Sequence, residues 1–196
     1  AFITHEGLFE FNVMPFGLSN APSTFQRLMN SVLAELLWKN VIVYIDDIII
    51  FSRKGENHAE ILEKVFQKLR AAGIRLKASK CRFARRKIDI LGFRISQDGQ
   101  EVQSEKVKAV VKMREPRSIR EVQSFLGMAN YYRKFIQNFA QIVRPLYDLT
   151  KKENEWKWTK EQQKAFEKVK SVLTNAPILA HPDFSKTFIL ETDASN

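Results

Sequence analysis

Two adjacent carboxylates, Asp46 and Asp47, sit between Val41-Ile42-Val43-Tyr44-Ile45 and Ile48-Ile49-Ile50-Phe51. An acid pair inside so apolar a stretch is costly, because desolvating an unpaired charge outweighs what most neighbours return. A hard cation compensates such a pair. Magnesium takes carboxylate oxygens and fills its shell with waters and substrate phosphates. Two such ions can activate a hydroxyl nucleophile and stabilise a pyrophosphate leaving group. Asp-Asp alone is more often a solvated turn at a sheet edge; the quartet Tyr44-Ile45-Asp46-Asp47 between two strands is far more specific.

A second chemical feature is charge. The chain has 196 residues with 32 Lys+Arg against 22 Asp+Glu, a net charge of +10. The excess is regional: residues 1–50 carry 2 basic and 5 acidic groups, residues 51–100 carry 13 and 5. It is densest at 75–94, where Lys77, Lys80, Arg82, Arg85, Arg86 and Lys87 interleave with Leu76, Phe83, Ile88, Ile90, Leu91 and Phe93. Basic residues alternating with core residues leave one face to pack and another to meet phosphates. An isolated basic stretch is usually a solvated surface; beside an acid pair the balance moves to nucleic acid.

The elements that must position these groups follow from pattern. Ser19-Asn20-Ala21-Pro22 supplies a helix start. Phe25, Leu28, Met29, Val32, Leu33, Leu36 and Leu37 make one apolar stripe, so the helix is expected to run from Asn20 to about Trp38. Residues 41–45 and 48–51 read as strands of a hairpin with the acids at its tip. Ile61, Leu62, Val65, Phe66 and Leu69 form a second helical stripe ended by Gly73. Residues 74–76 and 88–95 read as strands. Ser104 opens a short helix to about Met113, Pro116 breaks it, and Ser118-x-x-Glu121 and Thr159-x-x-Gln162 are capping boxes for two more. Residues 187–192 read as a final strand.

Composition narrows the classes. Apolar residues make up 44% of the chain, which excludes wholesale disorder. The apolar run 41–51 is interrupted by its two acids and is shorter than the ~20 residues of a spanning helix; no membrane partner is expected. Cys81 is alone, so no internal disulfide forms and an intracellular, reducing setting is expected. Residue 1 is Ala and 188–196 read as an unpaired strand, so the chain is read as a piece of something longer.

Here the sequence resembles a known family. Tyr44-Ile45-Asp46-Asp47 looks like the Tyr-x-Asp-Asp motif of reverse transcriptases, and Met14 to Pro22 followed by Phe25-Gln26 resembles the preceding segment in gypsy-type LTR retrotransposon polymerases. Leu91-Gly92-Phe93 with Asp98-Gly99, then the run from Phe125 to Phe135, Pro145-Leu146, Trp158-Thr159, Ala176-Pro177 and Glu191 to Ser195 follow in the family's order.

The resemblance implies an α+β fold: a partial polymerase palm (1–97), an antiparallel sheet with packed helices; a helical thumb and connector (98–176); and the first strand of an RNase H-like domain (177–196). It implies that Asp46 and Asp47 are catalytic and metal-binding, with Mg²⁺ as cofactor and Asp46 the better candidate for bridging metals. Phe16, Gly17 and Tyr44 would line the nucleotide pocket. Leu91, Gly92 and Phe93 would grip the primer end, Phe93 standing where the family often has His. Gly127, Asn130, Tyr131 and Arg133 would meet an RNA or DNA template-primer duplex, although Tyr131 and Tyr132 equally suit a helix core. Asp193 takes the place of the first RNase H carboxylate, but a lone acid cannot assemble a two-metal hydrolytic site. The first polymerase aspartate lies upstream of Met14 in the family, and Glu6 and Glu10 lie in the wrong motif context to replace it. The parent reaction is then nucleotidyl transfer from a dNTP to a primer 3′-hydroxyl, the chain by itself binding nucleic acid without extending it; the alternative is a non-catalytic nucleic-acid-binding remnant of a retrotransposon polyprotein. The sequence leaves the oligomeric state open.

Overall fold

A computed structural model describes residues 1–15, 17–151, 153–190 and 192. They pack as two units, Ala1–Cys81 and Arg82–Asn196. In the first, strand β1 (Phe2–Thr4) pairs antiparallel with β2 (Gly7–Phe9), a short hairpin whose side chains are all exposed. Helix α1 follows at Ala21–Val32, with Pro22 in its first turn, where the missing N–H costs nothing.

The apolar stripe predicts a longer helix than the one found. Beyond Leu33 the chain tightens: the Leu36 and Leu37 N–H groups both donate to the Leu33 carbonyl. Trp38 then takes φ +64, which a right-handed helix cannot continue. Leu36 and Leu37 still reach the core, so the periodicity reports burial correctly while the backbone has already left the helix.

Strands β3 (Val41–Tyr44) and β4 (Asp47–Ile50) form the expected hairpin, paired from Val41 with Ile50 to Tyr44 with Asp47. Helix α2 (His58–Ala71) is capped by the Asn57 side chain, which accepts the Ala59 N–H. At its other end Gly73 has φ +70, the Ile74 N–H donates to the Leu69 carbonyl and the Gly73 N–H to the Arg70 carbonyl. That is a Schellman closure, and it turns Ile74 back onto the core. Residues 74–76 consequently form no strand, contrary to the sequence expectation, because their apolar side chain serves the helix end rather than a ladder. Met29, Leu33, Val41, Val65 and Leu69 are the buried centre of this unit.

The second unit begins with an antiparallel meander, β5 (Lys87–Ile90), β6 (Phe93–Ser96) and β7 (Gly99–Val102). The pattern misses β7, since Gly99-Gln100-Glu101-Val102 offers one large apolar side chain and no alternation. Helices α3 (Ser104–Val111), α4 (Ile119–Tyr131), α5 (Phe139–Asp148) and α6 (Lys160–Thr174) follow, with a 3₁₀ turn at Arg133–Phe135. They enclose a core that includes Val122, Phe125, Val143, Leu146, Phe166 and Val169, against which Phe93 and Val102 of the sheet also pack. Phe93, within the residues read from sequence as palm (1–97), thus shares a core with the helices that follow it.

The capping box at Thr159 is complete: its side chain accepts the Glu161 N–H while Gln162 answers from inside the helix. Gln162 is buried and satisfied, its Nε2 donating to the Pro145 carbonyl at 3.2 Å. At Ser118 only half the box forms. Its side chain accepts the Glu121 N–H, but Glu121 accepts from Arg117 instead. Residues 187–190 form no strand; Phe188, Ile189 and Leu190 stand exposed and no described segment pairs with them. No described helix is long and apolar enough to cross a membrane.

Candidate functional site

The hairpin tip builds the first candidate site. With Tyr44 paired to Asp47, Ile45 and Asp46 are the two connecting residues. Ile45 adopts φ +51, a left-handed conformation that a β-branched residue avoids. Directly opposed residues in an antiparallel pair project to the same face, so Tyr44 and Asp47 share a face while Asp46 leaves from the turn. Tyr44, Asp46 and Asp47 are all exposed. The desolvation cost expected from the flanking runs therefore does not arise: the strands carry their apolar side chains to α1 and leave the tip in solvent. Neither carboxylate has a hydrogen-bond or ion-pair partner among the described residues.

Two open carboxylates with room for waters and phosphates suit Mg²⁺, which typically takes one or two protein carboxylates when substrate supplies the rest. No cluster of three potential metal-ligating side chains exists among the described residues, so the pair is a partial donor set by itself.

Gln26, which the resemblance includes at the end of the Phe25-Gln26 pair without giving it a role, holds this tip. Gln26 on α1 accepts the Ile45 N–H on its Oε1 at 2.5 Å, and its Nε2 donates to the Val43 carbonyl at 3.2 Å. Its sequence neighbourhood carries no signal for this, because the partners lie 17 and 19 residues away. Of the remaining residues assigned to nucleotide binding, Gly17 lies exposed in the loop before α1 with φ +88. Phe16 lies outside the described residues, as does Asp193.

In the second unit, Leu91 and Gly92 connect β5 to β6 with φ +48 and +76. Positive φ at both central residues is the twist-matched two-residue turn of a hairpin. Its backbone is held from α4 and the residue after it. The Tyr131 hydroxyl donates to the Leu91 carbonyl at 2.6 Å, and the Gly92 carbonyl accepts the Gln103 N–H at 3.0 Å and the Tyr132 hydroxyl at 3.5 Å. A Cβ on Gly92 would lie 2.7 Å from the Tyr132 hydroxyl oxygen. Phe93 stacks on Tyr131 with ring centres 5.1 Å apart and meets Tyr132 edge-on at 5.5 Å. Burial pushes the Tyr132 phenol above its ordinary pKa, with Tyr131 beside it adding to the effect.

Tyr131, expected either to meet the duplex or to sit in a helix core, stacks on Phe93 within the chain, and about half its surface is open at 51% exposure. Gly127 and Asn130 lie on the same exposed face of α4, at the spacing that aligns residues along a helix, and nothing crowds Gly127. Arg133 is exposed on the 3₁₀ turn. Its neighbour Lys134 is engaged internally: its ammonium donates to Gln100 Oε1 at 2.6 Å and sits 4.3 Å from the centre of the Phe93 ring. Below the turn, Arg94 makes a two-pronged contact to Asp89, at 2.8 and 3.2 Å. The Arg94 guanidinium holds the Asp89 carboxyl below the usual carboxylate range.

Known proteins show the same segment. Residues 1–95 match the family model described as reverse transcriptase (RNA-dependent DNA polymerase), and residues 158–196 match that of the RNase H-like domain found in reverse transcriptase. The whole chain is 45% identical to part of the retrovirus-related Pol polyprotein from transposon 297 of Drosophila melanogaster, spanning 19% of that protein. It is 40% identical to part of the transposon Tf2-3 polyprotein of Schizosaccharomyces pombe, spanning 15% of it. Among solved structures, the foamy viral protease-reverse transcriptase in complex with dsDNA superposes over 87% of this chain and 36% of its own, with TM-score 0.77 and 35% identity. The same viral protein in complex with an RNA/DNA hybrid gives TM-score 0.73 at 35% identity, over 85% of this chain and 23% of its own.

Proposed function

We propose that the chain, whose residues 1–95 match the reverse transcriptase family and whose residues 158–196 match the RNase H-like domain found in reverse transcriptase, is the carboxylate-turn and duplex-binding part of an RNA-directed DNA polymerase. The observation that carries this reading is the hairpin tip: Asp46 and Asp47, exposed and unpartnered among the described residues, at the end of a ribbon packed on α1. Residues 1–97 are read as palm, 98–176 as thumb and connector, and 177–196 as the start of the RNase H-like domain.

Asp46 and Asp47 would hold Mg²⁺, which when bound supplies charge neutralisation for nucleotidyl transfer from a dNTP to a primer 3′-hydroxyl. Tyr44 and Gly17 face the nucleotide in this reading, and Phe16 belongs with them by motif. The Leu91-Gly92-Phe93 turn, braced by Tyr131 and Tyr132, presents a fixed backbone corner to the primer end. Gly127 and Asn130 offer a flat, uncrowded stretch of α4 to the duplex, with Arg133 available to a phosphate. Structural relatives bound to dsDNA and to an RNA/DNA hybrid support a nucleic-acid partner.

Primer extension tests the reading. In the longer polymerase containing this segment, Asp46→Asn is expected to cut Mg²⁺-dependent extension by about three orders of magnitude, as loss of ~4 kcal/mol of charge stabilisation requires. Asp98→Asn, at an exposed turn, is expected to leave it unchanged. Extension that survives Asp46→Asn would refute the assignment.

A further inference from the structure

We propose that Gln26 is a positioning residue for the Asp46 carboxylate. The inference rests on the reading of Asp46 as catalytic and adds the group that aims it. Gln26 reaches the tip from α1, and three hydrogen bonds leave its carboxamide one orientation. Its Oε1 accepts the Ile45 N–H at 2.5 Å; its Nε2 donates to the Val43 carbonyl at 3.2 Å and to Asn30 Oδ1 at 2.9 Å. Asn30, one helical turn on, therefore selects which face of the amide meets the hairpin.

The clamp spans the two residues on either side of Tyr44 and grips the N–H of the residue immediately before Asp46. That residue is Ile45 at φ +51. A β-branched residue persists there only where its surroundings over-determine the backbone. Gln26 supplies that constraint from a rigid base: Met29 of α1 and Leu33 just past its end are fully buried in one cluster with Val41, and Phe25 and Val43 pack against the same cluster. Without the clamp, the Ile45 peptide can relax toward a commoner conformation and rotate the direction in which Asp46 leaves the turn. The ladder from Val41–Ile50 to Tyr44–Asp47 would remain, so the change would fall on aim rather than on fold.

The test is steady-state primer extension by the longer polymerase carrying single substitutions, with primer-template affinity and Mg²⁺ dependence measured alongside. Gln26→Met keeps the length and removes every polar contact; kcat is expected to fall about 10–100-fold, the cost of a misplacement near 1 Å. Primer-template Kd is expected to stay within about twofold, since the tip, not the duplex surface, is disturbed, and the Mg²⁺ concentration for half-activity is expected to rise. Gln26→Glu keeps the acceptor for the Ile45 N–H, and Asn30 can turn its own amide to donate, but the donor to the Val43 carbonyl is lost; its kcat is expected to lie between those of the unsubstituted protein and Gln26→Met. If Gln26→Met fails to fold, Gln26→Asn, polar but one carbon too short to reach Ile45, replaces it with the same expectations. An unchanged kcat overturns the proposal, as does a fall in kcat that only tracks a smaller folded fraction. Asp46→Asn runs in parallel: if it is inactive while Gln26→Met is fully active, only the clamp is refuted. If Asp46→Asn is active, the catalytic reading falls and the clamp with it.

Discussion

Gly92→Ala is expected to destabilise the second unit by about 2–5 kcal/mol, and Tyr132→Phe in the same chain is expected to relieve the part of it that comes from the clash with the Tyr132 hydroxyl. Two contributions make up that figure. Gly92 has φ +76, where any Cβ costs about 1–2 kcal/mol. The new methyl would also lie 2.7 Å from the Tyr132 hydroxyl oxygen. Tyr132 is only 5% exposed and cannot swing away, so overpacking adds about 1–3 kcal/mol. Tyr132→Phe alone removes a long 3.5 Å hydrogen bond to the Gly92 carbonyl, worth less than about 1 kcal/mol. The double substitution should then keep the backbone strain and lose the clash, a coupling of about 1–3 kcal/mol in favour of the pair. Equilibrium urea unfolding followed by Trp156 and Trp158 fluorescence measures it, in a Trp38→Phe background because Trp38 belongs to the first unit. Strict additivity would refute the packing of this turn on Tyr132.

Thr159→Ala is expected to cost about 1 kcal/mol of second-unit stability in the same assay, because it dismantles the one complete capping box found among the described helices. Asp89→Asn should lower the thermal midpoint at neutral pH and matter less in acid: a carboxyl held below its ordinary value by Arg94 stabilises the fold above the unfolded value near ~3.9 and loses that contribution as pH falls through its depressed folded value. Melting curves of both chains from neutral to acid pH should therefore converge, and a constant gap would contradict the ion pair. The 196-residue chain is expected to bind a primer-template duplex with log Kd rising against log salt by roughly 0.9 for each phosphate contact. Salt-insensitive binding in a filter or anisotropy titration would exclude a phosphate-dominated interface.

The hairpin is legible in the sequence because two continuous β-branched and aromatic runs around two acids leave few other arrangements. The Gly73 helix end and the Thr159 cap were legible for the same reason, each motif satisfying its own backbone groups locally. What pattern could not reach was set by distance or by conflict. Gln26 is one of several polar residues on α1 until Val43 and Ile45 fold onto it. The end of α1 is masked by a stripe that continues through Leu36 and Leu37 while Trp38 already has positive φ. Strand β7 carries a single large apolar residue, and its pairing is dictated by β6 beside it. Tyr131 reads equally as core or as duplex contact from its pattern, and in the structure it stacks on Phe93 while about half its surface stays open.

In the proposed function the Asp46-Asp47 turn holds the divalent metal. Iron-mediated cleavage tests it most directly: Fe²⁺ in place of Mg²⁺, with ascorbate and peroxide, in the longer polymerase bound to primer-template. Chain scission is expected at residues 45–47, suppressed by excess Mg²⁺ and lost in Asp46→Asn. Scission elsewhere, with none at the turn, would contradict the claim.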